Sequence, residues 1–306
     1  MKVVPRKEAI NLPNGLIIKG VGGLYTVINN NKQYFCKARG LFRKDSIKPL
    51  PGDYVQYKVL CEETKEGIIT EIHERKNNLI RPMVANIDQA IIVISVKEPS
   101  PDLLLLDKLI CACESKGIVP IICINKIDLV DEEDVNNILK QYIKTQYSII
   151  TTSVKSGIHL DKLKKLLNDK KTVFAGQSGV GKSSILNYIL NEYIMEIGEL
   201  SIKLGRGKHT TRHTQFIPIQ KGFLIDTPGF SNFDSGLLEE KDIKYYYKEF
   251  NQYEDTCRFN GCIHINEPGC TVKEAVKSGT IDINRYKRYI DIYNLVKKAK
   301  KDKRGY

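Results

Sequence analysis

Thr172-Val173-Phe174-Ala175-Gly176-Gln177-Ser178-Gly179-Val180-Gly181-Lys182-Ser183-Ser184 is the stretch on which the fold of this 306-residue chain turns. An apolar strand, residues 172–175, runs into G-x-x-x-x-G-K-S, and a helical pattern over 184–190 follows, the setting a phosphate-binding loop requires. Glycines let backbone N–H groups converge on a phosphate without Cβ clashes, and the helix N-terminus adds its dipole. Lys182 is then expected at the β- and γ-phosphates and the Ser183 hydroxyl on Mg²⁺, with Gly176 to Ser184 lining the nucleotide. Working outward, the apolar runs 90–96, 118–124 and 147–151 predict buried parallel strands. Helical stretches at 103–116, 132–142 and 160–168 alternate with them, and strands at 172–175 and 223–226 complete an α/β, doubly wound sheet.

Two further elements belong on the phosphate side. Asp226-Thr227-Pro228-Gly229 ends a strand, where Asp226 would hold Mg²⁺ through a water and the Gly229 N–H would sense a γ-phosphate. Between the two motifs, Gly205 to Thr214 is glycine-rich, basic and hydroxyl-bearing. Thr210 or Thr211, the latter preferred, would reach Mg²⁺ when a γ-phosphate is present; the alternative is a basic surface loop with no metal contact.

Asn125-Lys126-Ile127-Asp128 sits at the end of the 118–124 strand. The Asp128 carboxylate suits guanine N1–H and the 2-amino group, a pattern adenine does not offer. Asn125 would meet the O6/N7 edge or tie its loop to the phosphate loop, and the Lys126 stem would lie along the ring. Thr152-Ser153-Val154-Lys155 closes the next strand and would support guanine O6, with Ser153 and Lys155 as the pocket residues. These base-reading motifs precede the phosphate loop, whereas ordinary GTPases have the reverse order. A rotated chain keeps the same sheet when the original termini lie close together. The position after DTPG, where many GTPases carry a water-orienting Gln, is Phe230, so that role must fall elsewhere.

Before residue 72, short strand patterns at 16–19, 24–28, 34–38, 54–59 and 67–72 alternate with breakers such as Pro51-Gly52-Asp53. They predict a small β-barrel of OB type, a design with a nucleic-acid face, or an SH3-like one. Beyond 231 the strand patterns cease, and helical segments flank Cys257-x₄-Cys262-x-His264-x₅-Cys270. Three thiolates and an imidazole make a closed tetrahedral zinc set, structural because no position is left for water. Cys36, Cys61, Cys111, Cys113 and Cys123 read as small core residues. The expected domains are therefore 1–72, 73–230 and 231–306.

A composition of 42% hydrophobic and 27% charged residues is that of a globular protein, and no apolar run approaches a bilayer span or signal peptide. The expectation is a soluble, cytoplasmic monomer. Residues 281–306 carry nine Lys or Arg against three Asp, half of the chain's net charge of +12. So concentrated a charge favours a polyanion such as RNA; a solvated helix with a frayed end is the alternative.

The permuted motif order, the barrel and the Cys/His cluster together resemble the small-ribosomal-subunit-dependent GTPase A family (RsgA, also YjeQ or YloQ), over nearly the whole chain. The resemblance implies an OB domain, a circularly permuted GTPase domain and a zinc domain. It also implies late maturation of the bacterial 30S ribosomal subunit, contact with its rRNA, and GTP hydrolysis stimulated by that subunit. His209, with His213 as runner-up, is the residue expected to orient water, and the resemblance also suggests His209. A kinase or ATPase acting on a small molecule is the competing reading, against which NKID argues. A binding module with a vestigial nucleotide site would show damage at Lys182, Ser183 or Asp226, and all three are intact.

Overall fold

The computed structural model describes residues 12–39, 48–197, 214–219, 221–226 and 238–304, the side chains of 192–197 and 303–304 excepted. They divide into two compact units. One holds 12–39 and 48–87 with 214–217 and 225–226; the other holds 88–197, 218–219, 221–224 and 238–304.

The first unit begins with five strands: β1 (Asn14–Val21), β2 (Leu24–Asn29), β3 (Lys32–Ala38), β4 (Tyr54–Cys61) and β5 (Glu66–Ile72). Alternate residues turn inward, as a period of two demands. Ile17, Tyr25, Val27, Tyr34, Cys36, Val55, Tyr57 and Ile69 fill the interior. Antiparallel pairs β1–β2, β2–β3, β4–β5 and β1–β4, with the parallel pair β3–β5, close the sheet on itself in the order β1-β2-β3-β5-β4. This is the five-stranded closed barrel expected of the OB type. Its Pro51-Gly52-Asp53 turn is fixed from inside. Fully buried Asp53 accepts from Leu50 N (2.7 Å) and pairs with Arg75 Nε (2.7 Å). A Cβ on Gly52, at φ +95°, would stand 2.0 Å from the Ala85 carbonyl oxygen. A two-residue hairpin, β6 (Asn78–Leu79) with β7 (Val84–Ala85), follows and had no signal strong enough to predict it.

The second unit is α/β. In chain order it runs β8 (Gln89–Ser95), α1 (Leu103–Glu114), β9 (Val119–Asn125), α2 (Glu132–Tyr142), β10 (Ser148–Thr151), α3 (Leu160–Leu166), β11 (Lys171–Ala175) and α4 (Lys182–Ile197). After β12 (Gln215–Ile219), β13 (Gly222–Asp226) adds the next sheet strand, giving the order β10-β9-β8-β11-β13. Pairs β8–β9, β9–β10 and β8–β11 are parallel, and all of β8 is buried, which is why it reads as a continuous apolar run. The chain starts mid-sheet, winds outward to β10, then returns to the other side of β8. The reversal puts a crevice at the carboxyl ends of β8 and β11. Asp102 and Asp131 cap α1 and α2, accepting from Leu105 N (2.9 Å) and Asp134 N (3.2 Å).

The C-terminal segment packs within this same unit. Two 3₁₀ stretches, Glu240–Tyr246 and Lys248–Thr256, precede α5 (Thr271–Lys277) and α6 (Ile283–Arg304). Tyr247, Phe250, Tyr286 and Tyr289 form an aromatic core with Val272, Ile292, Val296 and Cys111 of α1. Among the described residues, no helix is long and apolar enough to cross a membrane.

Candidate functional site

The phosphate loop, Gly176 to Ser183, joins β11 to α4. Its glycines are demanded by its neighbours. A Cβ on Gly176 (φ +130°) would lie 2.1 Å from the Val93 carbonyl oxygen, and one on Gly181 (φ +100°) 2.3 Å from Asn125 Nδ2. Gly179 (φ +82°) is exposed beside them, as is Ser178, while Gln177 is half-buried and Val180 buried. The Lys182 ammonium folds back onto the loop, donating to the carbonyls of Gly176 and Gln177 (both 2.7 Å). Partial burial holds its pKa below the ordinary lysine value. An incoming phosphate would replace two neutral acceptors with charged oxygens, a stronger class of bond. The Ser183 and Ser184 hydroxyls are exposed in the first turn of α4, and Asp226 closes β13, half-buried.

The two base-reading loops are wired to the phosphate loop and to each other. Asn125, buried at the end of β9, donates from Nδ2 to the Val180 carbonyl (2.9 Å) and accepts on Oδ1 from Thr152 Oγ1 (3.0 Å). Of the two roles expected of Asn125, the bond to Val180 is the one that ties its loop to the phosphate loop. Ser153 Oγ donates to Asp128 Oδ1 at 2.6 Å and accepts from Ser156 N at 3.1 Å. The second Asp128 oxygen stays on an exposed carboxylate, placed to accept from a ligand. Lys126, at φ +64°, donates from Nζ to the Glu98 carbonyl. Lys155 is exposed on the Thr152–Lys155 turn.

Cys257, Cys262, His264 and Cys270 converge, their ligand atoms all within 4.8 Å of one another. His264 Nδ1 stands 3.6 Å from Cys257 Sγ and 3.4 Å from Cys270 Sγ, and those sulfurs are 4.0 Å apart. A tetrahedron with Zn–S of about 2.3 Å has sulfur–sulfur edges of roughly 3.8 Å, so the donors fit zinc. Nδ1 is therefore the ring nitrogen that faces the sulfurs, while His264 Nε2 is buried without a hydrogen-bond partner. Burial pushes the Cys262 thiol up to about 12 and lowers His264, so a thiolate there needs a cation beside it. The surroundings are built for a knuckle. Glu267 accepts from the N–H groups of Ile263 (2.9 Å), Ile265 (3.0 Å) and Asn266 (3.1 Å), His264 N points at Cys262 Sγ (3.4 Å), and Tyr286 OH donates to the His264 carbonyl (2.7 Å).

Two family models match the chain, the RsgA N-terminal domain over residues 14–69 and the RsgA GTPase over 72–236. The small ribosomal subunit biogenesis GTPase RsgA of Alkaliphilus metalliredigens is 45% identical over 291 residues, 95% of this chain and 100% of that protein. The chain belongs to the RsgA GTPase family. The protein of the same name from Caldanaerobacter subterraneus subsp. tengcongensis is 45% identical over 95% of this chain and 98% of its own. Among solved structures, YloQ, described as a circularly permuted GTPase, superposes with a TM-score of 0.80 at 37% identity, covering 96% of this chain and 98% of its own. YjeQ from Thermotoga maritima does so with a TM-score of 0.80 at 36% identity, over 92% and 98%. Membership makes the enzyme a GTPase and brings with it GTP, GDP and Mg²⁺.

Several expected site residues of this RsgA-family chain lie outside the described residues: His209, Thr210, Thr211, His213, Gly229 and Phe230. What sequence reading missed is a buried charge cluster on α1. Asp107, fully buried, accepts from Arg285 Nη1 (2.6 Å), Arg288 Nε (2.6 Å) and Tyr142 OH (2.7 Å). Arg285, 1% exposed, also pairs with Glu249 and lies over the rings of Tyr247 (4.4 Å), Tyr142 (5.1 Å) and Tyr147 (5.9 Å). The cluster bolts α6 and the second 3₁₀ stretch to α1 and α2 of the GTPase sheet. The only local signal was two arginines, three apart, on the face of α6 that also carries Tyr289 and Ile292.

Proposed function

We propose that this GTPase acts in late assembly of the small (30S) ribosomal subunit in the bacterial cytoplasm, as a monomer. It binds rRNA in the GTP state, is stimulated by the subunit to hydrolyse GTP, and leaves afterwards. The observation that carries the guanine-nucleotide half is the chain of bonds Val180–Asn125–Thr152 and Asp128–Ser153. It fixes the base-reading carboxylate relative to the phosphate loop before any ligand arrives. The names of the relatives, which are small ribosomal subunit biogenesis GTPases, support the assembly half.

In this reading Lys182 and the backbone of Gly176 to Ser184 hold the phosphates, and Asn125, Lys126, Asp128, Ser153 and Lys155 hold the base. Mg²⁺, taken by Ser183, Asp226 and Thr211, neutralises charge on the transferring phosphoryl group when bound. Gly229 senses the γ-phosphate, and His209 orients water in place of the glutamine that Phe230 displaces. Zinc, on Cys257, Cys262, His264 and Cys270, is structural. Division near residue 72 is supported by the spans of the two family models, 14–69 and 72–236, the second of which runs six residues past 230. The exposed lysines 287, 297, 298 and 301 of α6 suit phosphate-backbone contact, as does the barrel for single-stranded RNA.

The test is hydrolysis of GTP and of ATP, with and without purified 30S subunits. Subunits should raise GTP turnover alone, and a His209→Ala variant should lose that rise while still binding GDP. Turnover indifferent to subunits removes the assembly role; ATP turned over as well as GTP removes the guanine reading.

A further inference from the structure

Because the strand order reverses between the parallel neighbours β8 and β11, the segment leaving β8, residues 96–102, emerges beside the phosphate loop. No motif marks it, and neither the family's base-reading nor its phosphate-binding signature includes it. Ser95, the last residue of β8, is fully buried and lies in register with Asn125 on β9. Its Oγ donates to the Pro99 carbonyl at 2.6 Å, closing a tight turn over residues 95–99. Val96 N donates to the Asn125 carbonyl at 3.2 Å, which fastens the base of that turn to the NKID loop. Within it, Glu98 sits at φ +54°, a conformation that side-chain-bearing residues adopt only when their surroundings hold them there. The conformation turns the Glu98 carbonyl to the Lys126 ammonium, and the two are hydrogen-bonded. On its other side the turn meets the phosphate loop, where a Cβ on Gly179 would stand 3.5 Å from Pro99 Cδ.

We propose that Ser95 is a positioning residue for guanine-nucleotide binding, acting through the 95–99 turn and its hold on Lys126. A lysine stem has four rotatable bonds, and ordering it at the moment of binding weakens the complex. Here the stem is strung between the NKID loop and the Glu98 carbonyl in advance, on the side of the pocket where Asn125 and Asp128 stand. Ser95 touches no nucleotide; it supplies the bond that keeps the carbonyl in place. The inference rests on the guanine-site reading above.

The experiment is a double-mutant cycle on the full chain with its zinc, reading fluorescent-GDP affinity and dissociation. Ser95→Ala should raise Kd about fivefold, the worth of one hydrogen bond, with faster dissociation. KM for GTP should rise by a similar factor while kcat holds. In a Lys126→Met background, which has no ammonium to anchor, Ser95→Ala should change Kd less than twofold. Pro99→Gly, a half-exposed change that loosens the same turn without opening the core, should reproduce both results. Equal effects of Ser95→Ala in the two backgrounds, or none in either, overturn the proposal. A wild-type chain that binds ADP as tightly as GDP would instead remove the guanine-site reading beneath it.

Discussion

Replacing Arg285 with Met removes one charge from the most buried ionic cluster among the described residues and keeps most of the side chain's volume. Arg285 is 1% exposed, and Asp107 and Glu249, its partners, are 0% and 4% exposed. Asp107 would keep Arg288 Nε at 2.6 Å and the Tyr142 hydroxyl at 2.7 Å. Glu249 would lose both its bonds to the guanidinium and be left charged in an aromatic core. Breaking one partner out of a buried pair costs about 3–5 kcal/mol, mostly the penalty of the stranded charge. The cation–π contacts with three tyrosines add to that loss. With a urea slope of about 3 kcal/mol/M, the midpoint should fall by roughly 1–1.7 M at fixed metal and GDP concentration. Adding Glu249→Gln should restore a large part of it, since the stranded group is then neutral. A midpoint within about 0.3 M of wild type, or no recovery in the double variant, would refute the stranded-charge reasoning.

Asp128→Ala removes the carboxylate that distinguishes guanine, so the preference for GDP over ADP should fall at least tenfold in competition binding, about 1.4 kcal/mol or more. Chelating zinc, or Cys270→Ser, should unfold the 238–281 segment, seen as lost amide protection there and metal release by a chromogenic chelator, while the barrel amides stay protected. Burial alone would raise the Glu267 pKa, but the backbone N–H bonds it accepts outweigh this and hold it below the usual glutamate value. Its contribution is therefore present above the unfolded pKa of about 4.3 and is lost as pH falls through the lower folded value. Glu267→Gln should cost about 1–2 kcal/mol at pH 7 and progressively less as pH falls below the unfolded value, read from unfolding curves across the acid range; a cost that does not change with pH would contradict the assignment.

What the sequence made legible was whatever is written in consecutive residues. The strand–loop–helix around Gly176–Ser183, the NKID turn and the Cys/His spacing each carry their geometry within about fifteen positions. The barrel was half legible. Five strand patterns were visible, but the choice of OB closure over an SH3-like one rests on the parallel β3–β5 pairing, which no local pattern specifies. Strand β12 was missed because Gln215-Phe216-Ile217-Pro218-Ile219 is short and contains proline, which reads as a break. The Asp107–Arg285 pair spans 178 positions, and an aspartate in the middle of an apolar helix gives no hint of which arginine it will meet. The Lys126–Glu98 bond was illegible for a different reason: its acceptor is a backbone carbonyl, to which side-chain identity is blind.

The permuted order alone suggests that losing the γ-phosphate would swing the Cys/His-bearing segment, since DTPG precedes it directly in the sequence. The buried cluster argues for a different division of labour. Arg285 and Arg288 hold α6 to Asp107, which lies in the second turn of α1, about 7.5 Å along the helix from the Asp102 cap at the rise of 1.5 Å per residue. Separating α6 from α1 would break those bonds and bare part of the apolar core that Tyr289, Ile292 and Val296 share with Cys111 of α1, at about 1.5–3 kcal/mol per side chain uncovered, against the 1–3 kcal/mol over which most ligand couplings operate. A nucleotide-driven change that respects this ordering keeps the Cys/His-bearing segment with the half of the sheet that carries α1 and α2 and moves the two together. Amides of α6 around Tyr289–Val296 should then exchange at the same rate with GDP and with a non-hydrolysable GTP analogue. Faster exchange there in one nucleotide state would mean that the cluster opens during the cycle, and that the Cys/His-bearing segment is the moving part after all.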